Sequence, residues 1–343
     1  MDEVSTVFRR VRADEKRSLT ALRIISLVFT CVAIVFAFLA AALGDTFYLR
    51  LASEALILAG MAISVDLLLG VSGLLSLGQA LFFGLGAYAS ALMLIDYTQS
   101  FWLVMVCVLA GAIPTALVFG WIAIRSRGVY FALITFGYAQ VISKIIYNTR
   151  ALGASDGIVG VPLVSIPLPF YDLPLNDPLA FFLFLLVLVV GIVIALWWLM
   201  DTPFGRVFSA MRVNEDRLPF LGYNVRGYMI SMYVLSAVIA ALFGALYPML
   251  RGFVSPELMF FEMSGNALIM VILGGVGTII GPVLGAVMLT ILKSIVGSFT
   301  EHHLIFVGGI FILLVLFFPK GLAGFIRPKV ENLFDRRKGE AVK

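Results

Sequence analysis

Long apolar runs alternate with short polar joints along almost the whole of this chain. Ten runs stand out: Ile24–Leu43, Ala55–Leu69, Leu74–Ile95, Trp102–Ile124, Val129–Tyr147, Leu179–Met200, Tyr228–Leu250, Gly265–Leu273, Val283–Ser298 and Leu304–Phe318. Most approach the ~20 residues with which an α-helix crosses a bilayer core of about 30 Å; the second and eighth are shorter. None alternates strictly between apolar and polar, as a membrane β-strand would. The pattern predicts an all-α, polytopic transmembrane bundle of about ten spans. It divides the chain into a polar N-terminal segment (1–23), a membrane domain (24–319) and a basic tail (320–343). Two polar stretches interrupt the membrane domain: Asn148–Pro178, rich in proline, and Asp201–Arg226.

Composition agrees. Of 343 residues, 62% are hydrophobic and 13% charged, against roughly 25% charged in soluble domains. The first apolar run is too long for the core of a signal peptide and reads as an uncleaved span. Cys31 and Cys107 fall inside apolar runs and read as small core hydrophobes, with no disulfide framework. Of 24 Lys and Arg, only Arg50, Arg150 and Arg251 fall on one side of the predicted spans. Lys144 and Lys293 lie within spans, and the other 19 gather on the opposite side. The positive-inside rule then puts both termini and Asp201–Arg226 in the cytoplasm, and Asn148–Pro178 outside. The net charge of +4 thus reflects orientation in a membrane and gives no case for nucleic acid.

Asp201–Arg226 carries seven charges amid apolar flanks. Thr202 is a good N-cap and Pro203 suits the first helical position. Phe204, Phe208 and Met211 recur on one face, while Arg206, Arg212, Glu215 and Asp216 fill the rest. Pro219 should bend or end the helix, and Gly222 can supply a left-handed stop. Such a segment either lies on the lipid headgroups or docks on a soluble partner.

Other polar and glycine-rich features invite weaker readings. Gly73 and Gly78 followed by Gln79 narrowly miss a phosphate-binding loop, because the lysine is absent. They read as close helix packing or a broken span, with Ser72, Ser76 and Gln79 as candidates to line a route. Thr135, Tyr138 and Gln140 add polarity to the fifth span. Gly277, Gly281 and Gly285 recur every fourth residue, a spacing for helix packing or a gate. Asp66, Lys144 and Lys293 would each cost about 2.5–3.5 kcal/mol at a helix centre, so they should face protein or water. An Asp66–Lys144 pair is one arrangement; a snorkelling Lys293 is another. His302 and His303 are adjacent and diverge, giving no metal site. No catalytic constellation is present, so an enzyme is not expected.

Three stretches resemble one family. Phe204–Asn224 (FGRVFSAMRVNEDRLPFLGYN) looks like the coupling loop of permeases of branched-chain amino acid ABC importers. Gly73–Met93 (GLLSLGQALFFGLGAYASALM) and Gly252–Ala286 (GFVSPELMFFEMSGNALIMVILGGVGTIIGPVLGA) resemble its glycine-rich span and its later block, and the Ser155-Asp156-Gly157 turn is also similar. The LivM-type subunit matches best. Gln79, where the family usually has His, and Pro219 depart from the pattern. The resemblance implies a permease of the bacterial inner membrane, with a second permease of LivH type, two cytoplasmic ATPases and an external solute-binding protein as partners. It implies ATP and Mg in the ATPases and no cofactor in this chain. It implies that Phe204, Gly205, Phe208, Met211 and Gly222 shape or anchor the coupling loop, with Arg206, Arg212, Glu215 and Asp216 as its rim. The implied solute is a branched-chain or other apolar amino acid; urea, short amides or aromatic acids are carried elsewhere in the family. A secondary transporter, lacking an ATPase, is the rival class.

Overall fold

A computed structural model describes residues 2–167, 172–299, 303–317, 321–325 and 327–328. Eleven helices account for most of it: α1 Asp2–Ala42, α2 Thr46–Asp66, α3 Gln79–Leu92, α4 Phe101–Ala123, α5 Val129–Asn148, α6 Pro178–Asp201, α7 Pro203–Asn214, α8 Val225–Arg251, α9 Phe261–Gly274, α10 Gly281–Phe299 and α11 His303–Phe317. Among the described residues nine helices are long and apolar enough to cross a membrane, counting the continuations of α2 to Ser72 and α3 to Tyr97. That corrects the count of ten. The shortfall is α9, whose 14 residues reach only about 21 Å at 1.5 Å per residue.

Contacts at the joints sort the helix ends into two sets. At one end, Arg23 meets Asp201 at 3.1 Å and Arg127 meets Asp216 at 2.9 Å. At the other, Arg251 bonds Glu54 at 2.5 Å, and Trp102 donates to the carbonyl of Pro167 at 3.0 Å. These are termed the α7 end and the strand end. The strand end carries two small antiparallel pairs, β1 (Ile158–Val159) with β4 (Phe253–Val254) and β2 (Ser165–Pro167) with β3 (Asp172–Pro174). Gly157, at φ +73°, lets the Ser155–Gly157 turn pass against β4: a Cβ there would stand 2.1 Å from the carbonyl of Val254.

The chain re-enters the bundle between β4 and α9. A 3₁₀ turn, Pro256–Met259, carries the buried side chain of Met259 against Gly84 of α3. Phe260 then lies against Tyr147 and Phe261 against Phe136 of α5. Non-helical backbone inside a membrane domain is tolerated where protein surrounds it.

α2, α3 and α8 form the core. Their apolar windows are 89%, 61% and 67% buried, whereas the other long helices are at most 39% buried. A helix that is apolar all round belongs either inside a protein or in lipid, and this division shows which helix does which. α3 and α8 approach closely because small residues face each other. A Cβ on Gly244 would sit 1.9 Å from the carbonyl of Phe83, and one on Gly86 2.2 Å from that of Ala241. Cys31 and Cys107 are exposed on the outward faces, which corrects their reading as core residues.

Candidate functional site: a half-open cavity and the loop beneath it

The segment after α6 folds much as its caps dictate. Thr202 accepts from the Gly205 N–H at 3.2 Å, and Pro203 occupies the first turn of α7. Asn214 caps a 3₁₀ turn over Glu215–Arg217, a second covers Pro219–Leu221, and Gly222 closes it at φ +83°. Arg127, from the α4–α5 joint, grips the segment through Glu215 (3.0 Å) and Asp216 (2.9 Å). These two carboxylates raise the guanidinium's hold on its proton further, first through the Asp216 hydrogen bond.

The apolar face of α7 turns inward. Phe208 is 0% exposed and Met211 4%, and Phe208 packs on Phe204 and Tyr228. The expectation that Phe208 and Met211 are anchors for another protein is therefore corrected: they fasten α7 to its own bundle. Phe204 is only partly exposed, and the apolar side chains left outside are Phe220 at 91%, Val213 at 86% and Leu221 at 71%. Arg206 reaches back to the carbonyl of Asp201.

Arg212 is exposed, yet one end of it reaches back to the bundle. Its guanidinium donates to the carbonyl of Gly70, in a π-type turn, Leu67–Ser72, that ends α2. One turn before, Asp66 is 1% exposed. Its carboxylate accepts from the N–H of Gly277 at 2.6 Å and of Ile279 at 3.1 Å. This replaces the Asp66–Lys144 pair considered from sequence: Lys144 instead lies over the rings of Tyr147 and Phe260. Gly277 has φ +79° and Ile279 φ +61°. A β-branched residue in that region is strained, and strain of this kind persists only where the surroundings impose it. Asp66 and Arg212 thus clamp three pieces together: the end of α2, the turn between α9 and α10, and α7.

Above the clamp lies a cavity of about 400 Å³. Phe47, Leu51, Glu54, Leu58 and Met61 of α2 line it at spacings of three and four, which mark one helix face. Phe47 and Arg251 are exposed at the strand end. Met61, Ala267, Met270 and Thr290 are buried at the floor. From Phe47 to Met61 the slot runs roughly 21 Å along α2, and Asp66 follows one turn below.

The family model for the branched-chain amino acid transport system permease component matches residues 47–315. The chain belongs to this permease family. The LivM high-affinity branched-chain amino acid permease of Escherichia coli (strain K12) is 29% identical over 301 residues, 82% of this chain and 71% of that protein. LivH of Salmonella typhimurium (strain LT2) is 25% identical over 289 residues, 80% of this chain and 92% of that protein. A permease of an autoinducer 2 import system, LsrC of Photorhabdus laumondii, is 30% identical over 205 residues, 56% and 58% of the two chains. No solved structure matches.

In this permease the polar residues singled out along the third and fifth spans do not line the larger cavity. They brace the break between α2 and α3. Thr135 accepts from the Leu77 N–H at 3.1 Å, and Ser76 from that of Gly78 at 3.3 Å. Tyr138 stacks on Phe119 and meets the Tyr233 hydroxyl. Ser72 bonds the carbonyl of Leu68 and faces a second, polar cleft beside Arg127 and Arg212. Gln79 is fully buried with its amide unpartnered among the described residues. Gly73, at φ +77°, ends the π-type turn beside Arg212, and Gly78 packs against Thr135 and Tyr138. Gly281 and Gly285 bring α9 and α10 together: a Cβ on Gly285 would meet the carbonyl of Met270 at 1.9 Å.

Among the described residues no three His, Cys, Asp or Glu side chains gather as metal ligands. His302 and the side chain of His303 lie outside them. The residues missed from sequence are Glu54, Asn266 and Thr290, which line the cavity, and Asp66 and Arg212 in their paired role. For Asp66, Asn266 and Thr290 the one signal was polarity inside apolar runs; Glu54 stands at the edge of such a run and Arg212 in a polar stretch.

Proposed function

We propose that this permease forms half of the translocation pathway of an ATP-driven importer for branched-chain or other apolar amino acids. One observation carries the reading: in a chain of this family, the cavity's floor rests on a clamp tied directly to α7. A movement of α7 therefore reaches the turn between α9 and α10 through Arg212 and Asp66, without a flexible linker. Rigid elements joined in this way move as bodies, as domain closure in partner subunits requires.

The bias of Lys and Arg supports a cytoplasmic α7 end, external strand pairs and cytoplasmic termini. Two ATPases would then meet α7 from the cytoplasm, and a solute-binding protein would deliver to the strand end. A second permease, of LivH type, would complete the pathway, in the inner membrane of a bacterial-type cell. The docking surface for the ATPase is the exposed Phe220, Leu221 and Val213, with the exposed Arg206 on the same loop. Exposed aromatic and arginine side chains are the usual anchors of such contacts. ATP and Mg act in those partners, and this chain performs no chemistry.

The test is the purified four-component complex in proteoliposomes, assayed for binding-protein-dependent ATP hydrolysis with apolar amino acids, urea and short amides. Stimulation by leucine-like solutes is expected. Stimulation by urea or amides alone would overturn the substrate class, and uptake without the ATPases would overturn the importer.

A further inference from the structure

The cavity at the strand end is chemically two-sided. On α10, Thr290 and Lys293 stand one turn apart and both line it. Thr290 is 6% exposed and its hydroxyl has no partner among the described residues. Buried polar atoms are nearly always satisfied, so an unpartnered hydroxyl that faces a cavity is open to a water or to a ligand group. Lys293 feels the carboxylates of Glu54 and Glu262, yet forms an ion pair with neither among the described residues. Asn266 on α9 adds an amide to the same space. A hydroxyl, an ammonium and an amide are three sets of donors, and an acceptor-only group with two oxygens would satisfy them.

One stretch of the wall is apolar, with Leu58, Met61, Leu258, Met263 and Met270, while Glu54, Tyr247 and Arg251 add polar groups to the rest of the lining. Three methionines among five side chains make a surface that adapts to branched or unbranched hydrocarbon. Among the described residues Glu54 is the only carboxylate lining the cavity, and it is already held at the mouth by Arg251 at 2.5 Å. It supplies an anionic acceptor opposite the donors. A cavity of about 400 Å³ lies at the small end of the roughly 300–1,000 Å³ of small-molecule sites.

We propose that this cavity is a solute-selecting station. It takes a zwitterionic α-amino acid, with its carboxylate on Lys293, Thr290 and Asn266, its ammonium toward Glu54 and its apolar side chain among the methionines. The inference rests on the importer reading and adds to it the groups of this chain that discriminate the solute. Lys293 is then no snorkelling surface charge but the principal counter-ion.

The experiment is leucine uptake by the assembled complex in proteoliposomes, comparing wild type with K293Q, K293R and T290V. Each variant is first checked for co-purification of the ATPases. K293Q is expected to lower uptake at least ten-fold, K293R to return it to within about three-fold of wild type, and T290V to lower it several-fold. Wild-type uptake by K293Q overturns the proposal; if K293Q does not assemble, wild-type uptake by T290V does so. A wild-type complex that moves no apolar amino acid fails differently, at the importer reading, and takes the station with it.

Discussion

Replacing Asp66 tests the clamp most directly. Its carboxylate is 1% exposed and accepts two backbone N–H groups, from Gly277 and Ile279. Hydrogen bonds to a charged group contribute about 1.5–3 kcal/mol each. Asp66→Ala removes both acceptors and leaves the buried Ile279 N–H without a partner. Two such bonds amount to about 3–6 kcal/mol, a large share of the roughly 5–15 kcal/mol that holds a domain together. Asp66→Asn keeps one acceptor oxygen but turns an NH₂ toward the second donor, so about half the loss is expected. The turn at Ile279 should then relax out of its left-handed conformation and α7 should lose its hold on the α9–α10 joint. The assay is thermal inactivation of the detergent-purified permease, read beside solute uptake in proteoliposomes. The expected order of stability is wild type, Asn, Ala, with uptake falling in the same order. An alanine variant as heat-resistant and as active as wild type would refute the reasoning.

Four further outcomes follow from the packing. Phe220→Asp combined with Leu221→Asp should abolish co-purification of the ATPases while membrane insertion is unchanged, because both side chains are exposed. Phe208→Asp should instead lower the yield of folded permease, since it would bury a charge at a site with 0% exposure; pull-down and expression level separate the two. Gly244→Leu should prevent accumulation of folded protein, as its Cβ alone would meet the Phe83 carbonyl at 1.9 Å; fluorescence-detected size-exclusion chromatography reads this. Arg251→Glu would face Glu54 with a like charge; at this partly exposed mouth the stability change should stay near 1 kcal/mol, while leucine uptake falls. Restoration by the double variant with Glu54→Arg would show that the pair acts as a unit.

The apolar runs made the bundle legible, because crossing a bilayer demands length and hydrocarbon from each span. α2 was underestimated at its start, since Arg50 and Glu54 look unsuited to a span. Glu54 is accommodated by Arg251, 197 residues away, and no local pattern reveals that. α9 looked short because it is short, at 14 residues. The amphipathic face of α7 was visible in Phe204, Phe208 and Met211, but periodicity says only that a face is covered, not by what. The cavity was illegible for a similar reason. Phe47, Leu51, Glu54, Leu58 and Met61 form a stripe that differs from a packed one only in having an empty space in front of it.

The closed floor beneath Met61 has a consequence for the cell that houses this protein. An energised membrane stores work as a voltage and an ion gradient, and a tube of water through it would short-circuit both. With Glu54 and Arg251 at its mouth and Met61, Ala267 and Met270 buried at its other end, the slot does not offer ions a continuous polar lining. Insulation and import thus depend on the same few atoms around Asp66.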